Sequence, residues 1–230
     1  MKLFFYFKRV FDILFSFSLL LASIPLLLLI GILVSFSSKG PIIYKCKRVG
    51  QFGKVFKLYK FRSMIVDDKA DETITIFNDK RITKVGYFLR KTKLDEFPQF
   101  LNILLGDMSI VGPRPESETI VKNFYNDNDK NEILSIKPGL TSPGTLMAYI
   151  YHEKLNPPQD MTKEIFYAKY LLPLKLLADK HYVYYRNPFY DINLFFQTIF
   201  IIIKKNFSLT IKWEPLFYDQ TPENWKDPGF

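Results

Sequence analysis

The stretch Ile13–Phe36 reads ILFSFSLLLASIPLLLLIGILVSF, and it decides how the rest of the chain must be arranged. Its length suffices for a helix that crosses a bilayer, which requires about 20 predominantly apolar residues. Pro25 lies in the middle of the run and lacks the N–H that would continue the helical hydrogen bonds. Ser23 carries a hydroxyl that can satisfy a carbonyl freed at this point. The sequence therefore predicts two helical halves separated by a break.

Basic residues flank this apolar segment on both sides. Lys8 and Arg9 precede it, and Lys39 and Lys45 follow it. Lys and Arg collect on the cytoplasmic side of membrane segments, so an even distribution gives a spanning helix no preferred direction. A re-entrant hairpin that enters and leaves one leaflet explains both the charges and the proline. A cleaved signal peptide is the alternative, but the run is long for one and no small-residue cleavage site ends it before Lys39.

The composition favours a protein at a membrane surface that has an anionic partner. The 230 residues include 23 Phe and 14 Tyr, and the net charge is +9. Aromatic residues gather at membrane interfaces, and positive charge suits anionic lipid or a phosphorylated substrate. No nucleic-acid-binding module is recognisable, so nucleic acid is not an expected partner. With one cysteine and two histidines a zinc site is not expected, and any metal would be a hard cation on oxygen ligands.

Two short strands are predicted after the apolar segment. Residues 42–50 and 55–64 form extended patterns on either side of a glycine turn, Gly50–Gly53. In the second strand Lys60 and Arg62 alternate with aromatic residues, so one face of the strand is basic. A solvated strand face is the ordinary explanation of such charges, and phosphate contacts are the functional one.

The stretch KLDEFPQFLNILLGDMSIVGPRPESE, residues 93–118, carries the strongest chemical signal. Adjacent carboxylates, Asp95 and Glu96, precede a proline and an apolar pattern of helical spacing that ends at Gly106. The carboxylates would then lie at a helix N-terminus, where the helix dipole favours negative charge. Further along, Arg114 stands between two prolines that restrict its backbone. The pattern predicts a fixed guanidinium a short way downstream of a fixed carboxylate pair.

Each of these features also has a purely structural interpretation. Asp95 can serve only as an N-cap, Glu96 only as a first-turn partner of the helix dipole, and Arg114 only as a turn residue. Taken singly, the structural interpretations are the more common ones. The combination of all three in one short stretch favours a catalytic site.

The remaining segments are predicted more coarsely. The acidic run in residues 67–79 indicates solvated surface, and residues 83–90 have the pattern of a short amphipathic helix. His152 is expected to be a surface or core residue rather than a base. Residues 189–203 are apolar but too short and polar-interrupted for a second span, which favours an interfacial helix ended by two lysines, with a buried helix as the alternative. The tail from residue 213 packs either on the domain or on the membrane.

Taken together, these motifs resemble the bacterial sugar transferases, the small monotopic enzymes that load a sugar phosphate onto polyprenyl phosphate. The family usually has Ser at the position of Lys93 and Leu at that of Phe97, and Ile24 separates Ser23 from Pro25 where the two are often adjacent. The residues that carry the resemblance are Arg90–Gln99, Leu104–Ser109 and Val111–Pro115, with further matches at Lys8–Asp12, Val55–Met64 and Lys137–Thr141.

The resemblance implies a reaction in which a UDP-sugar gives its sugar 1-phosphate to undecaprenyl phosphate with Mg²⁺ as cofactor, releasing UMP. It implies that Asp95 is the covalent nucleophile and that Glu96 is catalytic and holds the Mg²⁺. It also implies a re-entrant anchor, bent at Ser23 and Pro25, on the cytoplasmic face of the bacterial inner membrane. The phosphate contacts that we expect are Lys60, Arg62, Arg90, Arg114 and Lys137.

We therefore expect a mostly helical α+β protein with a re-entrant helix-break-helix anchor in residues 1–38. A catalytic domain in residues 39–206 would contain a small β-hairpin and interfacial amphipathic helices, and residues 207–230 would form a tail. Two other functions stay open: a non-enzymatic basic membrane anchor that binds anionic lipid, and a Mg²⁺-dependent aspartyl phosphatase. The sequence identifies neither the sugar nor the glycan pathway, and a homo-oligomer is left open.

Overall fold

The computed structural model of the chain describes residues 2–66, 79–151, 161–207 and 209. Most of the acidic run, His152 and the tail beyond residue 209 lie outside these residues. The predicted mostly helical α+β class is confirmed. The elements in chain order are α1 (Lys2–Ser37), β1 (Ile43–Val49), β2 (Val55–Phe61), α2 (Lys84–Thr92), α3 (Gln99–Leu105), β3 (Ser109–Val111), α4 (Glu118–Phe124), α5 (Asp127–Ile133), β4 (Gly139–Thr141), α6 (Pro143–Tyr151), α7 (Lys163–Phe166), α8 (Leu172–Tyr185) and α9 (Pro188–Asn206).

Helix α1 corrects the predicted break at Pro25. It is one helix of 36 residues, with Pro25 inside it. A proline removes only the hydrogen bond to the carbonyl four residues earlier, here that of Leu21, and the helix continues beyond it. The Ser23 hydroxyl donates instead to the carbonyls of Leu19 (2.7 Å) and Leu20 (3.2 Å), so it does not fill the place that we predicted for it.

One side of α1 packs on the rest of the protein, and the other is apolar and exposed. Near its start, Asp12 is buried and accepts a hydrogen bond from the Ile110 N–H (3.1 Å). Near its end, Val34 is buried in a cluster with Phe61 and Leu89. Within the described residues α1 is the one helix that is long and apolar enough to cross a membrane. The prediction of an N-terminal apolar membrane segment is consistent with this helix.

Strands β1 and β2 form the predicted antiparallel hairpin, with Ile43 opposite Phe61 and Val49 opposite Val55. Asn102 of α3 fastens the hairpin to that helix. Its side-chain oxygen accepts from the Tyr59 N–H (3.0 Å), and its amide donates to the Lys57 carbonyl (2.8 Å). Because Asn102 is fully buried, these bonds fix strand β2 against the helix that follows the acidic pair.

A second small sheet positions the loop that contains Arg114. Strands β3 and β4 pair in parallel, and the Gly139 N–H donates to the Pro113 carbonyl (2.9 Å). Gly112 and Gly139 let the two backbones touch, since a Cβ on Gly139 would lie 2.1 Å from the Gly112 nitrogen. The sheet rests on the main core, which includes the buried residues Ile103, Met108, Ile110, Leu146, Tyr182 and Leu194.

Candidate active site

A sharp reversal of the backbone places the acidic pair in the protein interior. Lys93 ends α2 in the left-handed conformation (φ 61°, ψ 15°), which costs a non-glycine residue about 1 kcal/mol. A 3₁₀ turn, Leu94–Glu96, follows at once. The pair was predicted at the N-terminus of a helix, and the structure places it in the turn just before α3, which begins at Gln99. Asp95 and Glu96 are both buried.

Glu96 is the centre of the site, since its carboxylate is surrounded by donors. The Arg114 guanidinium binds both carboxylate oxygens, at 2.8 and 3.1 Å, and Gln99 donates to one of them at 3.2 Å. The Lys60 ammonium lies 3.4 Å and the Lys93 ammonium 3.8 Å from Oε1. Burial alone would raise the pKa of Glu96, but Arg114 and the two lysines hold it well below its ordinary value.

Asp95 has the opposite environment. Its Oδ1 is buried and has no hydrogen-bond partner within the described part of the chain. Burial and the adjacent Glu96 carboxylate raise the pKa of Asp95, while Lys60, Lys93 and Arg90 oppose that rise. The helix N–H groups that we expected to stabilise its ionised form do not reach Oδ1, because the carboxylate sits on the preceding turn. Asp95 thus presents an uncommitted oxygen inside a basic cluster.

The cations of this cluster exceed the carboxylates that they face. Burial lowers the pKa of Lys60 and of Lys93, and the charge of Arg114 adds to both effects, although Glu96 opposes them. Burial works in the same direction on Arg114, but Glu96 outweighs it and raises the pKa of that guanidinium above its ordinary value. With three cations around two carboxylates, the site suits an anion that carries several acceptor oxygens, such as a phosphate.

Arg62 lies outside this cluster. Its guanidinium is buried and donates to the carbonyls of Pro41 (2.6 Å), Val34 (3.0 Å) and Ser38 (2.5 Å). These carbonyls belong to the end of α1 and the segment after it. Arg62 therefore caps the C-terminal end of the apolar helix. The phosphate contact predicted for this residue stays a prediction without geometric support.

Two other predicted phosphate contacts occupy different places. Arg90 is close enough to influence the pKa of Asp95, but its nearest side-chain partner is the Met64 sulfur at 3.9 Å. Lys137 lies beside Arg9 near Gly106, at the end of α3 that points away from the acidic pair. The structure therefore brings Lys60 and Arg114 to the carboxylates, leaves Arg90 at the edge, and separates Lys137 from them by the length of α3.

A second charge cluster, which the sequence did not reveal, lies next to the Arg114 loop around the buried Lys175. Lys175 donates to the Glu116 carboxylate and to the Tyr167 hydroxyl (2.5 Å), and that hydroxyl donates to Glu116 (2.5 Å). Burial would raise the pKa of Glu116, but Lys175 and Tyr167 lower it, while burial and Glu116 raise the pKa of Tyr167 well above its ordinary value. Tyr167 lies in a π-helical turn, Tyr167–Leu171, which no sequence pattern predicted.

The donor set fits a Mg²⁺ that is shared with substrate phosphates. Within the described residues no group of three or more His, Cys, Asp or Glu side chains is placed to hold a metal ion. Mg²⁺ commonly takes one or two protein carboxylates and completes its shell with phosphate oxygens and water. The Asp95 Oδ1 would provide such a ligand, and the partners of Glu96 are the Gln99 amide and cations that phosphates can attract away from it.

These features define a class: a phosphate-handling enzyme built beside a long apolar helix. The comparison with known proteins is more specific. The bacterial sugar transferase family matches residues 3–205, and the chain belongs to that family. The predicted family is thereby confirmed, and so, at the level of the family, is the predicted class of enzyme, a phosphoglycosyl transferase.

Three relatives show how far the similarity extends. A Bacillus subtilis protein, provisionally named an undecaprenyl-phosphate N-acetylgalactosaminyl 1-phosphate transferase, is 44% identical over 121 residues, or 52% of this chain and 68% of the relative. The UDP-glucose:undecaprenyl-phosphate glucose-1-phosphate transferase of Klebsiella pneumoniae is 44% identical over 142 residues, 59% of this chain and 30% of the relative. The Escherichia coli protein of the same name is 36% identical over 196 residues, 84% of this chain and 39% of the relative.

Two points follow from these relatives. The chain spans well under half the length of the two glucose-1-phosphate transferases that it matches, so it corresponds to a part of them. The names also include two different sugars, N-acetylgalactosamine and glucose. The family therefore gives the kind of reaction and leaves the sugar of this chain undetermined, as the sequence did.

Proposed function

We propose that this protein transfers a sugar 1-phosphate from a UDP-sugar to undecaprenyl phosphate and releases UMP, as the first membrane step in the assembly of a glycoconjugate. The observation that carries the proposal is the pairing of an uncommitted Asp95 oxygen with a Glu96 that is surrounded by three cations. The names of the relatives support the two substrates. The single apolar helix supports a membrane location for the lipid substrate.

The proposed reaction has two steps at Asp95. In the first, a carboxylate oxygen of Asp95 attacks the phosphorus that carries the sugar, and the bond to the other phosphate breaks, so that UMP leaves with the electron pair. In the second, a phosphate oxygen of undecaprenyl phosphate attacks the phosphoaspartyl sugar and frees Asp95. Burial and Glu96 raise the pKa of Asp95 in the ligand-free site, and the charges of Lys60, Lys93 and Arg90 favour the ionised form that attacks.

The cations of the site stabilise the negative charge that develops during these steps. Arg114 offers two parallel N–H groups, which match two oxygens of one phosphate, and Lys60 adds a point charge from strand β2. Mg²⁺, when bound, supplies charge neutralisation at the diphosphate, and Glu96 with Asp95 would hold it. Arg114 and Lys60 now bind Glu96, and phosphates that took these cations would leave the Glu96 carboxylate able to hold the metal ion.

The contacts of α1 support a monotopic arrangement, and the basic residues on both sides of the apolar segment support the cytoplasmic face. Arg9 donates to the carbonyls of Ile103 (2.6 Å) and Leu104 (3.0 Å), and Arg62 holds the other end of the helix. A helix that crossed the bilayer completely would carry one of these ends away from the domain. Helix α9 would lie in the same interface, because Phe196, Phe200 and other apolar residues on it are exposed.

The enzymatic proposal is tested by incubating the purified protein in detergent with undecaprenyl phosphate, Mg²⁺ and a panel of UDP-sugars. We expect release of UMP and formation of a lipid-linked sugar diphosphate with one sugar or a few. Release that does not depend on the lipid, with no lipid product, would instead indicate a phosphatase. No release with any sugar would contradict the proposal.

The topology is tested by cysteine labelling in intact cells, after Cys46→Ser removes the native thiol. We expect that neither Lys2→Cys nor Lys39→Cys reacts with an impermeant reagent from outside, and that both react after the cells are opened. Labelling of only one of the two from outside would show that α1 crosses the membrane.

A further inference from the structure

The backbone conformation of Lys93 and the position of its ammonium group are not explained by the fold alone. It is a non-glycine residue held in the left-handed conformation directly before the acidic pair. Its ammonium lies 3.8 Å from Glu96 Oε1, which is beyond a normal hydrogen bond, and no other acceptor within the described residues is bonded to it. The side chain is 32% exposed, so a solute can reach it. A cation with three N–H donors is thus placed beside the carboxylates without a hydrogen-bonded partner of its own.

The ring of Tyr149 fixes the position of this ammonium. Lys93 Nζ lies 4.5 Å from the ring centroid, a distance at which the face of an aromatic ring attracts a cation. The Tyr149 hydroxyl donates to the Lys91 carbonyl (3.3 Å), two residues before Lys93. Tyr149 therefore contacts both the side chain of Lys93 and the backbone that leads to it.

The same tyrosine receives the end of helix α9. Lys205 Nζ lies 4.3 Å from the Tyr149 ring centroid and donates to the Tyr149 carbonyl (2.7 Å). Asn206 donates to the Lys91 carbonyl (3.2 Å), beside the Tyr149 hydroxyl. The C-terminal end of α9 thus contacts Tyr149, the residue whose ring lies against the Lys93 ammonium.

We propose that Lys93 binds a phosphate of the nucleotide sugar and that Tyr149, secured by the end of α9, is the residue that positions its ammonium group. This inference rests on the proposed function, since it assigns a further contact to the same substrate. Neither residue was among the predicted site residues. The free N–H groups of Lys93, its approach to the site and the ring beneath it are the features that support the role.

Binding of UDP alone tests the inference without requiring turnover. Purified full-length protein in detergent is titrated with UDP by calorimetry. Lys93→Gly removes the ammonium and suits the left-handed backbone, so the protein should melt at an unchanged or higher temperature. Its Kd for UDP should rise about tenfold or more, because a charge-assisted hydrogen bond is lost.

Variants of Tyr149 separate positioning from general stability. Tyr149→Leu removes the ring and should raise the Kd for UDP about tenfold, while Tyr149→Phe keeps the ring and should bind UDP within about threefold of wild type. The control is Tyr184→Leu, which removes a tyrosine that is 82% exposed on α8 and should change nothing. The double variant Lys93→Gly, Tyr149→Leu should bind no worse than Lys93→Gly, because both changes remove the same contact.

A pair of neighbouring lysines tests the connection to α9. Lys205→Ala should raise the Kd for UDP by about threefold, whereas Lys204→Ala removes an equal charge from the ring of Phe200 and should not. Equal effects of the two changes would overturn the role of α9.

The other outcomes are equally decisive. If Tyr149→Leu binds UDP as Tyr184→Leu does, or if the effects of Lys93→Gly and Tyr149→Leu multiply, the positioning role is overturned. Wild-type protein that binds UDP but transfers no sugar phosphate would contradict the proposed function, and the UDP titrations would still decide on Lys93 and Tyr149. Wild-type protein that binds no UDP would overturn both.

Discussion

Two glutamates, the buried Glu96 and the half-buried Glu116, lie on either side of Arg114 in the sequence, and the charges around them differ. Glu116 meets one amine, Lys175, and one phenol, Tyr167, and these three groups bond to one another. Glu96 meets one guanidinium, two ammonium groups and the Gln99 amide, and the carboxylate beside it has an oxygen with no hydrogen-bond partner among the described residues.

This difference in charge balance distinguishes a structural charge cluster from one that is suited to bind a ligand. In the Glu116 cluster the carboxylate is hydrogen-bonded to Lys175 and Tyr167, as buried ion pairs require, and the charge of Arg48 also stabilises it. In the Glu96 cluster a positive charge is left over and a buried oxygen is unsatisfied, which is unfavourable until a phosphate and a cation enter. Changes at Glu96 and Asp95 should therefore affect chemistry, and changes at Glu116 should affect stability.

The largest effect is expected from Asp95→Asn. An amide cannot form the phosphoaspartyl intermediate, so both turnover and any covalent labelling should vanish. The measurement is incubation with a UDP-sugar labelled in its sugar, without the lipid acceptor, followed by acid quenching and a search for labelled protein. Label on the Asp95→Asn protein, or none on wild type, would refute the covalent role even if transfer were confirmed.

The matched control for this change is Glu96→Gln. It keeps the nucleophile, so labelled protein should still form, while the rate should fall on the order of a hundredfold through the loss of a key electrostatic group. Dependence on Mg²⁺ concentration should shift as well, because Glu96 is an expected ligand of the ion. A Glu96→Gln protein with normal Mg²⁺ dependence would assign the metal to Asp95 alone.

A large effect of the other kind is expected from Lys175→Met. Removing the amine leaves the Glu116 carboxylate buried without its countercharge, which costs about 3–5 kcal/mol of unfolding free energy. The double variant Glu116→Gln, Lys175→Met removes both charges and should recover most of that loss. Urea unfolding in detergent measures both. A Lys175→Met protein that is as stable as wild type but inactive would transfer this cluster to the catalytic site.

Arg114→Lys is expected to have a smaller effect than these. The change keeps the charge but loses the planar pair of N–H groups that now binds both oxygens of Glu96. We expect kcat/KM for the UDP-sugar to fall about 30-fold, equivalent to about 2 kcal/mol, with no change in melting temperature. Activity equal to that of wild type would make Arg114 a structural turn residue.

Local sequence signals predicted the parts of the fold that local physics determines. The hairpin β1–β2 and the end of α3 at Gly106 lie where turn and cap residues indicated, and helix α2 lies close to the residues 83–90 that the amphipathic pattern indicated. The proximity of Arg114 to Glu96 also followed from one short stretch of sequence. The proline rule failed at Pro25, where the helix continues despite one missing hydrogen bond and is buried against the domain on both sides of the proline, at Asp12 and Val34 among others.

The parts that could not be predicted depend on contacts between distant segments. Arg62 has the basic, aromatic-flanked pattern of a phosphate ligand, but three carbonyls near the end of α1 occupy it. The partners Glu116 and Lys175 are 59 residues apart in sequence. Tyr149 is placed against Lys93 by the packing of α6. No periodic pattern in the sequence predicts this contact. Such contacts become visible only when the fold has brought the elements together.

The smallest effect concerns Asp179, another buried acid, which lies near Lys175 without a hydrogen bond to it. Its carboxylate accepts from the Gly144 N–H (3.0 Å) at the start of α6, and burial raises its pKa to about 6 despite this bond and the help of Ser142 and Lys175. The folded state therefore holds the proton more tightly than the unfolded state, whose ordinary Asp pKa is about 3.9. The stability that Asp179 contributes is complete below about pH 4 and is lost as the pH rises to about 6.

Asp179→Asn removes this titration and keeps an oxygen for the Gly144 N–H. The unfolding free energy of the variant minus that of wild type should rise by about 2 kcal/mol between about pH 4 and pH 7. Glu96 and Glu116, whose lowered pKa values act in the opposite direction, are present in both proteins and cancel in the difference. Asp127→Asn, on an almost fully exposed side chain, is the control and should give a flat difference. A difference that does not change with pH would mean that the ionised Asp179 carboxylate is stabilised as well as that of Glu116. A nearby lysine would then offset the cost of burying the charge without a direct hydrogen bond.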